Sequence, residues 1–479
     1  MGQTPILLDQ RIGMRRILVL SFPIMLSMLS FTAMSVVDTI YISQLGTAPL
    51  AGVGLAITMV FLVHSFGNGL LSGLKIIISQ YVGAGDDTRA RRLGWHGLWL
   101  AAIGGLLVAA TGPLGTWSFP LMGASVEVAA EANAFFQIRV LGAPLIFAMT
   151  AMSSYFHGQG DMRTPMIATL LANGVNIIVD PILIFGLGPI LAYGVEGGAL
   201  ATILGFATGA AYLWMRIRNT LFDAPRRFCF ELLRDIWTVG MPIGVRYLLE
   251  VGSYLVFAAM LAQLGDFELA AHIIVVRIIS VSFLPGYAIG EAASILVGQA
   301  IGAGRLHVTR VAWRYATCVA LIIMAFCGLL FWLIPDVLFA VFSPDPQVLT
   351  IGYQLLLIAA AFQIFDAIAM VTICTLNGAG DTRFTMWLGV LATWCIKLPI
   401  GYLCAIPLCY GAAGAWFGLT MEIVVVAALG YWRYCGTAWL EHSVSVGPVQ
   451  DTEQEPLVFQ ESVTSSAEQE VTAVSEVVQ

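Results

Sequence analysis

Lysine is almost missing from this chain: Lys75 and Lys397 are the only two among 479 residues, and charged residues of every kind make up 11%. So little charge cannot cover the surface of a soluble domain, and no nucleic-acid partner is expected. Neither lysine stands in the GxxxxGK[ST] setting of a phosphate-cradling loop. "GAGD" (83–86) and "GQGDMR" (158–163) therefore read as tight turns, and ATP hydrolysis is not expected. The eight cysteines (229, 318, 327, 374, 395, 404, 409, 435) include no CxxC pair. They read as small buried hydrophobes rather than a disulfide or metal framework. A cleavable signal is not expected either, because the first apolar run is too long and no small-residue cleavage site follows it.

What is present is apolar sequence, 59% of the chain, in runs of membrane-span length from end to end. The approximate spans are 17–42, 52–76, 95–113, 134–155, 165–186, 196–215, 236–262, 271–297, 313–334, 350–374, 384–404 and 412–432. Each is near the roughly 20 residues that a bilayer requires. The fold class is an all-α polytopic membrane protein with twelve transmembrane helices. The net charge of −7 comes from the end of the chain: from Glu441 to Gln479 there are eight Asp or Glu and no Lys or Arg, leaving 22 basic against 21 acidic residues elsewhere. The stretch 441–479 reads as an acidic disordered tail.

Outside the spans, basic residues alternate from loop to loop. Arg11, Arg15 and Arg16 precede span 1, Arg89, Arg91 and Arg92 follow span 2, and the central loop carries Arg216, Arg218, Arg226, Arg227 and Arg234. Arg305, Arg310 and Arg314 follow span 8, while the intervening loops hold Asp and Glu but no Lys or Arg. Positive charge stays on the cytoplasmic side, which places both termini there.

The two halves repeat. Pro23 aligns with Pro242 at an offset of 219, which also takes "SQLG" (43–46) to "AQLG" (262–265) and "SQYVGAGD" (79–86) to "GQAIGAGR" (298–305). An offset of 220 takes "GQGDMRTPM" to "GAGDTRFTM" (378–386). Two six-helix lobes are expected, 1–219 and 220–440, related by a pseudo-two-fold along the membrane normal with the functional site between them.

Six acids fall inside spans: Asp38, Asp180, Glu250, Glu291, Asp366 and Glu422. At about 2.5–3.5 kcal/mol each near a helix centre, such residues are functional candidates by default. Asn173, Asn176 and Asp180 are spaced i, i+3, i+7 and share one helix face. Asp38 and Asp180 both belong to the outer half of their spans. Glu250 and Asp366 lie near the middle of theirs. Glu291 and Glu422 rank lower, being nearer the cytoplasmic half or lacking polar company. Arg246, four residues before Glu250, is placed for an internal ion pair, and Arg277 or Arg139 could serve the others. None of Asp38, Asp180, Glu250 and Asp366 has an acid at its repeat position, so the fold itself does not require them.

The stretches "VDTIYISQLGTAPLAGVGLA", "SQYVGAGD", "NGVNIIVDPILIFGLG", "YGVEGGALATILG", "LAAHIIVVRI", "LVGQAIGAG" and "IFDAIAMVTICTLNGAGDTR" resemble the multidrug and toxic compound extrusion (MATE) family. The resemblance covers about residues 12–435. It implies two six-helix lobes in a V around a central cavity, and antiport of amphipathic or cationic organic compounds against H⁺ or Na⁺. By motif, the family's cation or proton site falls on Asp38, Asn176 and Asp180 with Thr202 as companion, and on Glu250 and Asp366 in the second lobe. Na⁺ has a place at Glu250 and Asp366 or at Asp38 and Asp180. Having both acid sets departs from bacterial relatives that emphasise one. Arg277 also stands where a neutral residue is expected.

The physical mechanism stands beside the resemblance. A carboxylate in a low-dielectric site holds a proton more tightly than in water, or Na⁺ when ionised. Exchanging cation for substrate between alternately facing states couples their fluxes. The expected setting is a monomer in the cell inner membrane, with no cofactor and no catalytic residues. A major facilitator transporter would carry a basic signature loop after span 2, of which "GAGDDTRARR" is a partial echo. A lipid-linked-precursor flippase would line its cavity with several Arg. A membrane-embedded enzyme would cluster its His, whereas the six here (64, 96, 157, 272, 307, 442) are dispersed.

Overall fold

The computed structural model describes residues 13–189, 191–223, 228–340, 342 and 345–442. Arg11, Arg226, Arg227 and the acidic tail beyond His442 lie outside them. The first half contains α1 (Met14–Ser43), α2 (Thr47–Gly83), α3 (Asp87–Ala109), short α4 (Gly115–Leu121), α5 (Val126–Leu141), α6 (Ala143–Gln159), α7 (Arg163–Phe185) and α8 (Gly194–Phe222). The second contains α9 (Phe230–Ala262), α10 (Asp266–Gly302), α11 (Leu306–Leu333), short α12 (Pro335–Phe339), α13 (Pro346–Gly378), α14 (Thr382–Leu391), α15 (Leu398–Ala405) and α16 (Gly411–Cys435). A π-helical turn, Ala392–Lys397, joins α14 to α15. Among the described residues, twelve spans result when the bent pair α5–α6 counts as one. Large apolar side chains such as Phe61, Trp117, Leu121, Ile178 and Trp432 are exposed on the bundle, as a lipid-facing surface requires.

Each expected span has its helix, and most helices run past the apolar run into polar residues, because backbone hydrogen bonding continues into the interfacial region. The fourth span is the exception in shape: α5 and α6 meet at 48°. Pro144 stands at the first turn of α6. Its ring clashes with the carbonyl four residues back and its nitrogen donates nothing, so the helix turns there. The repeat partner α13 has no proline at the equivalent place and runs unbroken for 33 residues.

The duplication is visible in the geometry. α2 and α10 are both 37 residues long, and their bounds differ by 219 positions at each end. Gly46 and Gly265 take φ of 123° and 133°, and Gly85 and Gly304 take 76° and 71°. These left-handed conformations are open to glycine at little cost, so both halves keep it at the same turns.

The halves meet through α2 against α9 and α10, and through α1 against α10. At the arginine-bearing end, two buried glutamines reach across reciprocally. Gln80 Nε2 donates to the Gly378 carbonyl at 3.1 Å, and Gln299 Nε2 donates to the Gly158 carbonyl at 3.1 Å. Both donors and both acceptors are repeat partners. A Cβ on Gly83 would stand 2.1 Å from the Gln299 carbonyl oxygen, and one on Gly302 would stand 1.9 Å from that of Gln80. Only glycine permits this approach.

Of the cysteines, Cys374 alone is buried, while Cys395, Cys409 and Cys435 are exposed; all eight are free. The reading of them as buried hydrophobes holds for one, because most sit on outward faces of their helices.

Candidate functional site

The face predicted on α7 forms. Asn173, Asn176 and Asp180 are 4%, 1% and 1% exposed, packed where α7 meets α1 and α8. Asn173 Nδ2 donates to Ser30 Oγ of α1 at 2.8 Å. Asn176 Nδ2 donates to Thr202 Oγ1 of α8 at 3.4 Å, and Thr202 passes its own proton to the Gly198 carbonyl at 2.9 Å. Gly205 lets α8 close on this face: a Cβ there would lie 2.5 Å from the Ala172 carbonyl oxygen.

Asp38 on α1 faces Asp180. Both oxygens of Asp180 and Oδ1 of Asp38 are buried without a donor among the described residues. Two ionised carboxylates are acceptors only, and bond each other only when a proton sits between them. Arg139 of α5 is near enough for its charge to act on both acids. It closes no ion pair with either among the described residues. Its guanidinium lies 5.7 Å from the centre of the Phe206 ring.

Phe206 leads to a cavity of about 330 Å³ between α1, α6, α7, α8 and α10. Met28, Phe31, Met149 and Phe206 give it a soft apolar lining, and Asn173 is among its few polar groups. Thus one face of α7 serves two surroundings: Asn173 borders the cavity, and Asp180, about 10 Å further along the axis at 1.5 Å per residue, faces Asp38.

In the second half, Glu250 of α9, Glu422 of α16 and Asp366 of α13 all lie near enough for their charge to act on Tyr254. The expected Arg246–Glu250 ion pair does not close. Arg246 lies over the Tyr247 ring at 5.6 Å, its Nε has no partner among the described residues, and it acts on Glu250 only through space. A shared helix face brings the two near, but packing around Tyr247 sets the guanidinium apart. Arg277 is exposed and makes no ion pair among the described residues.

The reading that Glu291 and Glu422 lack polar company is corrected. Glu291 of α10 pairs with Lys75 of α2 across the two halves, and Glu422 Oε2 pairs with Lys397 Nζ at 3.3 Å. Each acid lacked polar company along its own helix; the company comes from a distant segment. One signal was available: both lysines of the chain lie inside spans, and each needs a carboxylate.

A twelve-span bundle built of two parallel six-helix repeats, with polar clusters and a cavity among its helices, defines a secondary-transporter architecture. Comparison with known proteins narrows this. The MatE family model matches twice, over residues 23–182 and 242–403, and the chain belongs to that family. A Burkholderia mallei protein named "Probable multidrug resistance protein NorM" is 30% identical over 428 residues, covering 87% of this chain and 91% of that protein. The Burkholderia vietnamiensis multidrug resistance protein NorM is 29% identical over 430 residues, covering 87% and 92%. A solved MOP superfamily transporter from Pyrococcus furiosus superposes with a TM-score of 0.84 at 25% identity, covering 92% of this chain and 99% of that one.

Proposed function

We propose that this chain is a multidrug efflux antiporter: it exports amphipathic or cationic organic compounds in exchange for H⁺ or Na⁺ by alternating access. The observation that carries the reading is Asp180, buried with neither oxygen receiving a donor among the described residues, on the α7 face that also borders the cavity and opposite the half-buried Asp38 of α1. A proton between the two carboxylates supplies the missing donor. Its departure leaves a net negative site about 10 Å from the cavity wall, and that charge favours a cationic guest. Proton and guest are then alternatives rather than companions, which is the condition for exchange. Asn173, Asn176 and Thr202 orient the face; Glu250 and Asp366 form a second candidate site. Met and Phe lining suits guests of varied shape.

The lobes 1–219 and 220–440, a cell inner-membrane setting, both termini in the cytoplasm and a monomeric state belong to the same reading. On it, the clasped, arginine-bearing end is the cytoplasmic one. The test is substrate efflux from proteoliposomes under a separately imposed pH or Na⁺ gradient. A gradient of one cation should drive efflux, and Asp38→Asn should abolish the response. Efflux indifferent to both gradients, with Asp38→Asn behaving like the unchanged protein, would sink the antiport reading.

A further inference from the structure

The second-lobe cluster already contains a cation. Lys397 is 2% exposed, at the end of the π-helical turn Ala392–Lys397. Its Nζ lies 3.3 Å from Glu422 Oε2, donates to Ser253 Oγ at 3.0 Å, and stands 4.8 Å from the centre of the Tyr254 ring. An ammonium has three N–H groups, and here a carboxylate, a hydroxyl and an aromatic face receive them. The other Glu422 oxygen, Oε1, accepts from Thr393, four residues before Lys397 on the same turn. Extra residues in a π-helical turn re-aim side chains, a device frequent at functional sites. In this instance it delivers a hydroxyl and an ammonium to one carboxylate.

The charges around the cluster are Glu250, Asp366 and Glu422 against Arg246 and Lys397. One acid is in excess. A hard metal cation needs several oxygen ligands at once, but Lys397 and Thr393 already take both oxygens of Glu422, and Ser253 faces the ammonium. A proton needs one lone pair, which Asp366 can give. Glu422 and Ser253, bonded to Lys397 and Thr393, are thus engaged in place of a metal ion, and the ammonium sets a fixed positive charge beside Glu250 and Asp366 that Na⁺ would have to join.

We propose that Lys397 is a tethered cation that fills the second-lobe site and excludes Na⁺ from it, so that Lys397 sets the ion specificity of this transporter. The proposal rests on the antiport reading for its meaning, yet it concerns an equilibrium occupancy that can be measured without transport.

The experiment is binding of radiolabelled Na⁺ to the purified full chain in detergent, with choline as the competing control. The unchanged protein should show no saturable Na⁺ binding that Asp366→Asn or Glu422→Gln removes; Asp38→Asn in every variant takes any first-lobe binding out of the comparison. Lys397→Ala should gain saturable binding, roughly tenfold or more tighter than any residual signal of the unchanged protein. Lys397→Gln, which keeps polar contact with Glu422 and Ser253 but not the charge, should show the same gain and serves if the alanine variant does not stay folded. Lys397→Arg should show none, and adding Glu422→Gln to Lys397→Ala should remove the gained binding. Saturable binding by the unchanged protein that Asp366→Asn or Glu422→Gln abolishes would overturn the proposal. So would a monodisperse Lys397→Gln that binds no more Na⁺ than the unchanged protein. Failure of both gradients to drive efflux would count against the antiport reading alone, since it leaves these binding results as they stand.

Discussion

Single residues in the first-lobe cluster are arranged at a cost to stability. Asp180 is 1% exposed with both oxygens lacking a donor among the described residues, opposite Asp38. A buried acceptor without a partner costs about 1–3 kcal/mol. Asp180→Asn supplies an amide donor to Asp38 while keeping the shape of the side chain. Its thermal midpoint in detergent should equal or exceed that of the unchanged protein, while proton-driven efflux is lost. Such opposed movement marks a site kept for function. Asn176→Leu differs, because it removes the bond to Thr202; it should lower stability by about 1 kcal/mol. An Asp180→Asn protein that melts well below the unchanged one would show that the carboxylate serves the fold.

Helices are where the sequence was most informative and where its silence is easiest to explain. Apolar runs located all twelve spans, since a lipid-facing helix is apolar on nearly every side. The polar face of α7 was legible because its three members lie on one helix and helical spacing joins them. The partners of Glu291 and Glu422 were not, because Lys75 and Lys397 belong to other elements, and spacing along one helix says nothing of which side chains meet between helices. Close helix contact is likewise hidden until the glycines are placed. Gly302→Ala would put a Cβ 1.9 Å from the Gln80 carbonyl, and backbone cannot yield as a flexible side chain does. It should destabilise by about 1–3 kcal/mol and weaken the reciprocal glutamine bonds. Gly54→Ala, in α2 and with none of the described residues within 4 Å of the added Cβ, should be neutral or stabilising by up to about 1 kcal/mol. Comparing the two unfolding midpoints tests whether the α2–α10 contact is the constraint.

Across the whole molecule, symmetric and asymmetric devices share one interface. The bonds from Gln80 and Gln299 obey the repeat, whereas the Lys75–Glu291 pair does not: the repeat partners of its members are Ser294 and Ser72. The pair joins α2 to α10, with side chains 12% and 11% exposed. Tyr247 and Tyr287 lie beside it, joined to each other at 3.1 Å. A duplicated fold clasped by two equal bonds gains here one charge contact that tightens the arginine-bearing end alone. Alternating access through that end requires the contact to open, and parting two charges in a poorly solvated interface is costly unless water enters as they separate. Lys75→Met should therefore cost about 3–5 kcal/mol, mostly as the penalty of the carboxylate left behind, while Lys75→Met with Glu291→Leu should recover most of that loss. A double-mutant cycle on the unfolding midpoint measures the coupling. If Lys75→Met were no less stable than the double variant, the pair would be no more than a surface-like contact. The clasp would then rest on the glutamines and glycines alone.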